Sequence, residues 1–151
     1  MRIDEKLWAI EQIKQLKARY FRFVDRKQWD DLAGVIAADA VFGVGDRALR
    51  GRAAVIGNIR ETAGNAKTVH HGYTPEIEII DHLRAHGTWA MHDRYMERPT
   101  QGSAPCGFEG FGFYEDTYVF EDSAWRISAC RLRRIALEPR GAGMPAFYRM
   151  N

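Results

Sequence analysis

Cysteine is scarce in this chain: Cys106 and Cys130 are the two among 151 residues. They lack the C-x-x-C spacing of a zinc ribbon or a dithiol redox site. A domain of this length buries roughly 68–70% of its unfolded surface and needs no disulfide staple. Two free, buried thiols in a reducing cytoplasm are therefore expected. Long apolar runs are also missing. No stretch approaches the roughly 20 residues of a membrane span. Met1-Arg2-Ile3-Asp4-Glu5-Lys6 is not followed by the apolar run of a secretory leader. Cytoplasmic localisation is the expectation. Nor does one sign of charge dominate. Lys and Arg number 22 against 20 Asp and Glu, for a formal net charge of +2. That balance argues against a nucleic-acid partner or an anionic membrane. No internal repeat or low-complexity run is present.

What the chain has in quantity is aromatic side chains: four Trp, six Tyr and eight Phe, 12% of the residues. Hydrophobic residues at 46% and charged ones at 28% are otherwise ordinary for one globular domain. Leu7, Ile10, Ile13, Leu16, Tyr20 and Val24 recur at spacings of three and four, which predicts a helix over residues 4–24. Asp4 and Glu5 suit its N-terminal dipole. Trp29 to Ala37 reads as a second, short helix with Leu32, Val35 and Ile36 inward. Ala40-Val41-Phe42 reads as a short strand, and Gly51 opens a third helix that stops near Gly64. Residues 67–80, 85–97, 106–121 and 125–138 are rich in β-branched and aromatic residues and are separated by polar, turn-forming stretches. The prediction is an α+β fold, a cone-shaped barrel with three N-terminal helices packed on a curved, mostly antiparallel sheet. It spans residues 1–140. An arm over 141–151, holding Phe147 and Tyr148, is expected to pack on the body or on a neighbouring subunit. The first helix and the concave sheet face would enclose a pocket suited to a small molecule.

Several residues could carry chemistry there. Tyr20 lies on the core stripe of the first helix, and a buried phenol needs a hydrogen-bond partner. Asp25 shares its face only if the helix ends between them; otherwise it is an exposed acid beside Arg26 and Lys27. In Val69-His70-His71-Gly72 strand alternation lets one histidine face the pocket. It is either structural or, beside a carboxylate, an acid–base group tunable around neutrality. Alternation also sets Asp93 among Trp89, Met91 and Tyr95. An acid there is costly without a partner, so it is an edge-strand accident or a functional group. In Gly107-Phe108-Glu109-Gly110-Phe111-Gly112-Phe113 the glycine order is wrong for a dinucleotide fingerprint, and the glycines read as sites of sheet bending or close backbone approach. Arg131, Arg133 and Arg134 read as a solvated face or a salt-bridge set. No helical histidine pair has metal-site spacing, and no G-x-S-x-G elbow occurs.

A set of stretches resembles the SnoaL-like branch of the nuclear transport factor two-like superfamily. They are Ile13 to Arg22, Asp25 with Trp29-Asp30, His70 followed by Gly72, Thr74-Pro75-Glu76-Ile77, Trp89 with Asp93, and Gly110 with Phe113-Tyr114 and Asp116. The resemblance runs from about residue 7 to 138. It implies a cofactor-independent dehydratase whose catalytic Tyr, Asp, His and Asp fall on Tyr20, Asp25, His70 and Asp93. His70 would be the acid–base group and Asp25 would orient it. Tyr20 would donate to a carbonyl oxygen, and Asp93 would be a second acid–base group or bind the leaving hydroxyl. Phe21, Trp89, Met91, Tyr95, Phe111 and Phe113 would line a pocket for a lipophilic, steroid- or polyketide-like hydroxy-carbonyl. No cofactor and no metal are expected, and a homo-oligomer (dimer or trimer) is. The alternatives are an isomerase or aldol cyclase on a similar substrate, and a non-catalytic ligand-binding protein like a dioxygenase small subunit.

Overall fold

The first helix, α1 (Ile3–Asp25), turns its apolar stripe to the sheet and buries Ala9, Ile13, Leu16, Tyr20, Phe21 and Val24. The computed structural model describes residues 1–151 except Val44, Thr100, Met150 and Asn151. Leu7, expected on the stripe, is exposed, as is its neighbour Trp8. The Glu5 carboxylate caps the start by accepting the Arg2 backbone N–H at 2.7 Å. Asp25 is the last helical residue. Lys27 then takes a positive φ of 60°, and the chain reverses into α2 (Trp29–Ala33).

The second helix is shorter than its apolar pattern implied. Gly34 ends it, and Ile36–Phe42 is a strand, β1. Val35, Ile36 and Ala37 are buried in that setting, and β1 pairs in parallel with the last long strand. A short apolar run does not by itself distinguish helix from strand, and tertiary pairing decides it. A two-residue strand, β2 (Leu49–Arg50), pairs with β1 and had no sequence signal. α3 (Arg52–Ala63) follows, with Val55 fully buried.

Four long strands complete the sheet: β3 (Ala66–Ile79), β4 (Arg84–Glu97), β5 (Cys106–Glu121) and β6 (Ala124–Gly141). The order is β2-β1-β6-β5-β4-β3, and all neighbours are antiparallel except β1 and β6. The sheet curves around α1 without closing. Register shifts opposite Phe111/Gly112 and Thr117/Tyr118 leave one extra residue each on β6, Ile135 and Ser128, and mark where β6 bends against β5. A Cβ on Gly112 would collide with the Arg133 carbonyl, so the bend depends on glycine. Beyond Gly141 the arm folds back on its own body through α4 (Ala146–Arg149). Phe147 packs edge-on to Tyr95, and Tyr148 edge-on to Phe108. Cys106 and Cys130 are free thiols. Among the described residues, no helix is long and apolar enough to cross a membrane.

Candidate active site

The end of α1 and the middle of β3 bring Asp25 and His70 together. His70 Nδ1 lies 2.6 Å from Asp25 Oδ1. The His70 backbone N–H donates to Asp25 Oδ2 at 2.9 Å, and the Thr68 hydroxyl donates to Oδ1 at 2.9 Å. A carboxylate at a helix C-terminus opposes the dipole. These three donors, all from β3, compensate for that position. Lys27 adds a fourth group, its ammonium donating to the Thr68 hydroxyl at 2.9 Å. Partial burial lowers the Lys27 pKa, and the Asp25 charge opposes that shift. In a neutral His70 ring, Nδ1–H donates to Asp25 and Nε2 is left as the basic nitrogen.

His70 stands in the wall between two hollows. One is a groove outside, along α1 and β3, which Asp25, Phe21 and Trp89 also line. The other is an interior cavity of about 520 Å³ between α1, α3, the concave sheet face and the arm. Tyr20, Asp93, Tyr95, Tyr114 and Arg134 line this cavity with His70. Asp25 thus supports the histidine from behind, as seen from the cavity.

Asp93 is 6% exposed and does not stand alone in an apolar wall. Arg134, from β6, donates through Nη1 to Oδ1 at 2.8 Å and through Nη2 to Oδ2 at 2.7 Å. Its Nε–H donates to the Tyr148 hydroxyl at 3.1 Å. Burial disfavours the Arg134 charge, but the Asp93 hydrogen bonds and charge outweigh it and raise the pKa. Both Asp93 oxygens are therefore engaged, and the acid has the partner that its place in an apolar strand pattern requires. Among the described residues, three of the five guanidinium N–H groups are taken, which leaves two for a ligand. Gly110 explains the close packing here: a Cβ at that position would fall on Arg134 Nη1 and Asp93 Oδ1. Gly110→Ala is expected to displace the guanidinium and destabilise the protein by about 1–3 kcal/mol. A melting temperature equal to wild type would contradict that placement.

The sequence profile of the SnoaL-like domain matches residues 5–131. The chain belongs to the SnoaL-like family. Among solved structures it is similar to a Novosphingobium aromaticivorans protein provisionally named a scytalone dehydratase. That match has 19% identity, covers 96% of this chain and 97% of that one, and has a TM-score of 0.81. A type 2 hexachlorocyclohexane dehydrochlorinase, LinA, matches at 16% identity over 94% of this chain and 95% of that one, with a TM-score of 0.77. A Mycobacterium tuberculosis protein of unknown function matches at 26% identity over 89% of this chain and 76% of that one, with a TM-score of 0.73. These likenesses establish the fold.

In this SnoaL-like domain, Tyr20, His70, Asp93 and Tyr95 share the cavity, and Asp25 backs His70. The other expected lining residues lie elsewhere. Phe21 and Trp89 line the outer groove, and Met91 is buried in the core. Phe111 and Phe113, at 36% and 39% exposure, project from the outer face. The reason is the parity of β5: Phe108, Gly110, Gly112 and Tyr114 are buried in alternation, so the intervening phenylalanines point out. Phe108, Tyr114, Arg134 and Tyr148 are among the cavity residues that the sequence did not assign to the site. His71 is exposed, and its ring sits against those of Tyr73 and His92. Among the described residues, no group of three or more His, Cys, Asp and Glu could hold a metal ion.

Burial, first of all, pushes the Tyr20, Tyr114 and Tyr118 phenols well above their ordinary pKa, and nearby negative groups add to it. The unfolded value is about 10. Above it the unfolded chain releases these protons while the native state keeps them. The corresponding stability is complete below about pH 10 and falls as pH rises further. In an alkaline titration, phenolate absorbance from these three is expected to appear only together with loss of circular dichroism. Their ionisation in a folded protein would contradict the burial.

Proposed function

We propose that the protein is a cofactor-independent lyase that removes water from a lipophilic hydroxy-carbonyl compound. The observation that carries this reading is His70 Nδ1 held on Asp25 at 2.6 Å, in the wall of the interior cavity. Its Nε2 would take the acidic proton next to the substrate carbonyl. Asp25 would fix the ring and stabilise the imidazolium. Tyr20 would donate to the carbonyl oxygen as it becomes an enolate, a contribution worth roughly 10²–10³ in rate. The imidazolium would then return the proton to the β-hydroxyl, which leaves as water as the C=C bond forms. Arg134, fixed by Asp93, would bind that hydroxyl through its two remaining N–H groups. A cavity of about 520 Å³ with tyrosine and phenylalanine in its walls suits a flat, multi-ring substrate of steroid or polyketide type. Elimination is also the chemistry in the name of the dehydrochlorinase neighbour.

Mass spectrometry over a panel of flat β-hydroxy ketones tests the reading. Loss of the mass of water is the expected outcome. A product of unchanged mass would make the protein an isomerase or cyclase built on the same groups. Binding without any conversion would favour the ligand-binding alternative.

The same proposal includes self-association. Val69, Tyr73, Phe111, Phe113 and Ile135 are exposed large apolar side chains on β3, β5 and β6. Such an area on a sheet face favours contact with another copy. Size-exclusion chromatography with light scattering is expected to show a dimer or trimer; a monomer at micromolar concentration would contradict this.

A further inference from the structure

Helix α1 carries a lysine where its buried stripe calls for an apolar residue. Lys17 and Asp116, on β5, both have wholly buried side chains, with Nζ 2.6 Å from Oδ2. Among the described residues that ammonium makes no well-directed hydrogen bond. The rest of its surroundings are aromatic faces. Nζ lies 4.2 Å from the centre of the Tyr114 ring, 5.0 Å from Tyr20 and 5.1 Å from Phe21. Asp116 is held in turn by the Tyr118 hydroxyl, which donates to Oδ2 at 2.7 Å and accepts from Trp89 Nε1 at 2.8 Å.

This arrangement is expensive. Desolvating an ion pair costs several kcal/mol per ion, and well-packed apolar replacements are often as stable or more so. Stability alone therefore gives no reason for a lysine here. Its placement does. Tyr20 and Tyr114 both line the cavity, and the ammonium lies against both rings. A cation at a ring face is attracted to its electrons and holds the ring in place. It also withdraws electron density from the phenol, which strengthens the O–H as a donor. Asp116 on its own would have the opposite effect.

We propose that Lys17 is a positioning residue that makes Tyr20 and Tyr114 a paired donor for an oxyanion. The substrate class would be enolisable carbonyls, with the carbonyl oxygen received by the two phenols. This inference rests on the elimination reading above and adds Tyr114 and Lys17 to it. The sequence places both residues in the stretches that resemble the family but assigns neither a role.

The test uses two probes of similar shape: 4-nitrophenolate, which presents an oxyanion, and nitrobenzene, which presents none. Wild-type protein is expected to prefer the phenolate. In Lys17→Met/Asp116→Asn, which removes both charges, the melting temperature should change little. The phenolate-to-nitrobenzene affinity ratio should fall roughly tenfold, the scale of a desolvated cation–ring interaction. An unchanged ratio in the folded double variant overturns the proposal. Should that variant not fold, Tyr114→Phe carries the test, because it keeps the ring and removes the donor. A ratio at least about tenfold lower supports the pair, and an unchanged one overturns it. No phenolate preference in the wild-type protein removes the elimination reading itself, and the proposal with it.

Discussion

His70→Ala is expected to reduce turnover by at least about 10³-fold while leaving the fold intact. The imidazole is the one group assigned both halves of the proton transfer, and general acid–base catalysis alone contributes about 10²–10⁴. The side chain is partly exposed between groove and cavity, so its removal empties no core position. Asp25→Asn separates orientation from chemistry. An asparagine amide keeps one acceptor oxygen, so it can accept the Thr68 hydroxyl or the His70 backbone N–H but not both at their present positions, and it no longer favours the imidazolium. It can also turn its NH₂ toward Nδ1 and put the ring proton on Nε2. A loss of up to about 10⁴ is expected, the scale seen when a carboxylate behind a catalytic histidine becomes an amide. The comparison is made on the substrate that the water-loss screen identifies, with circular dichroism as the control for folding. Activity within a few-fold of wild type in His70→Ala would remove the histidine from the mechanism.

Arg134→Met is expected to produce the largest loss of stability at the site. It leaves Asp93, with 7% side-chain exposure, without its bidentate partner. An uncompensated buried carboxylate costs about 3–5 kcal/mol. For a chain of this length that lowers the melting temperature by roughly 6–20 °C. The loss should be mostly reversed in Asp93→Leu/Arg134→Met, since a matched apolar pair removes the orphan charge. Turnover should not return in that double variant, because the groups assigned to the leaving hydroxyl are gone. Stability and activity therefore separate. Thermal unfolding of the single and double variants checks this, and equal melting temperatures in wild type and Arg134→Met would contradict the buried pair.

Much of the fold is legible in the sequence because periodicity is a local property. The stripe through Ile13, Leu16, Tyr20 and Val24 marks α1, and turn formers mark the ends of the long strands within a few residues. Val35 to Ala37 misleads because a three-residue apolar run fits either a helix or a strand. Only the parallel pairing with β6 decides it. The anomalies of Tyr20, Asp25, His70 and Asp93 were visible as polar groups in apolar patterns. Their partners were not. Arg134 lies 41 positions from Asp93, in a basic cluster that looks like solvated surface. Tyr148 reaches it from an arm with no strong pattern. Phe111 and Phe113 show the limit of alternation: it pairs residues by face without saying which face is inside. Gly110 and Gly112 carried that information, since the crowded inner face is where a side chain could not fit.

The central claim is that His70, backed by Asp25, removes a proton from carbon inside the cavity. It can be measured before the natural substrate is known. Flat bicyclic ketones are incubated with the protein in deuterium oxide, and isotope incorporation next to the carbonyl is read by mass spectrometry. Exchange well above the buffer rate in wild-type protein, lost in His70→Ala and sharply reduced in Asp25→Asn, is the predicted result. Ketones that bind in the cavity but exchange no faster than in buffer, or exchange equally in the His70 variant, would contradict it.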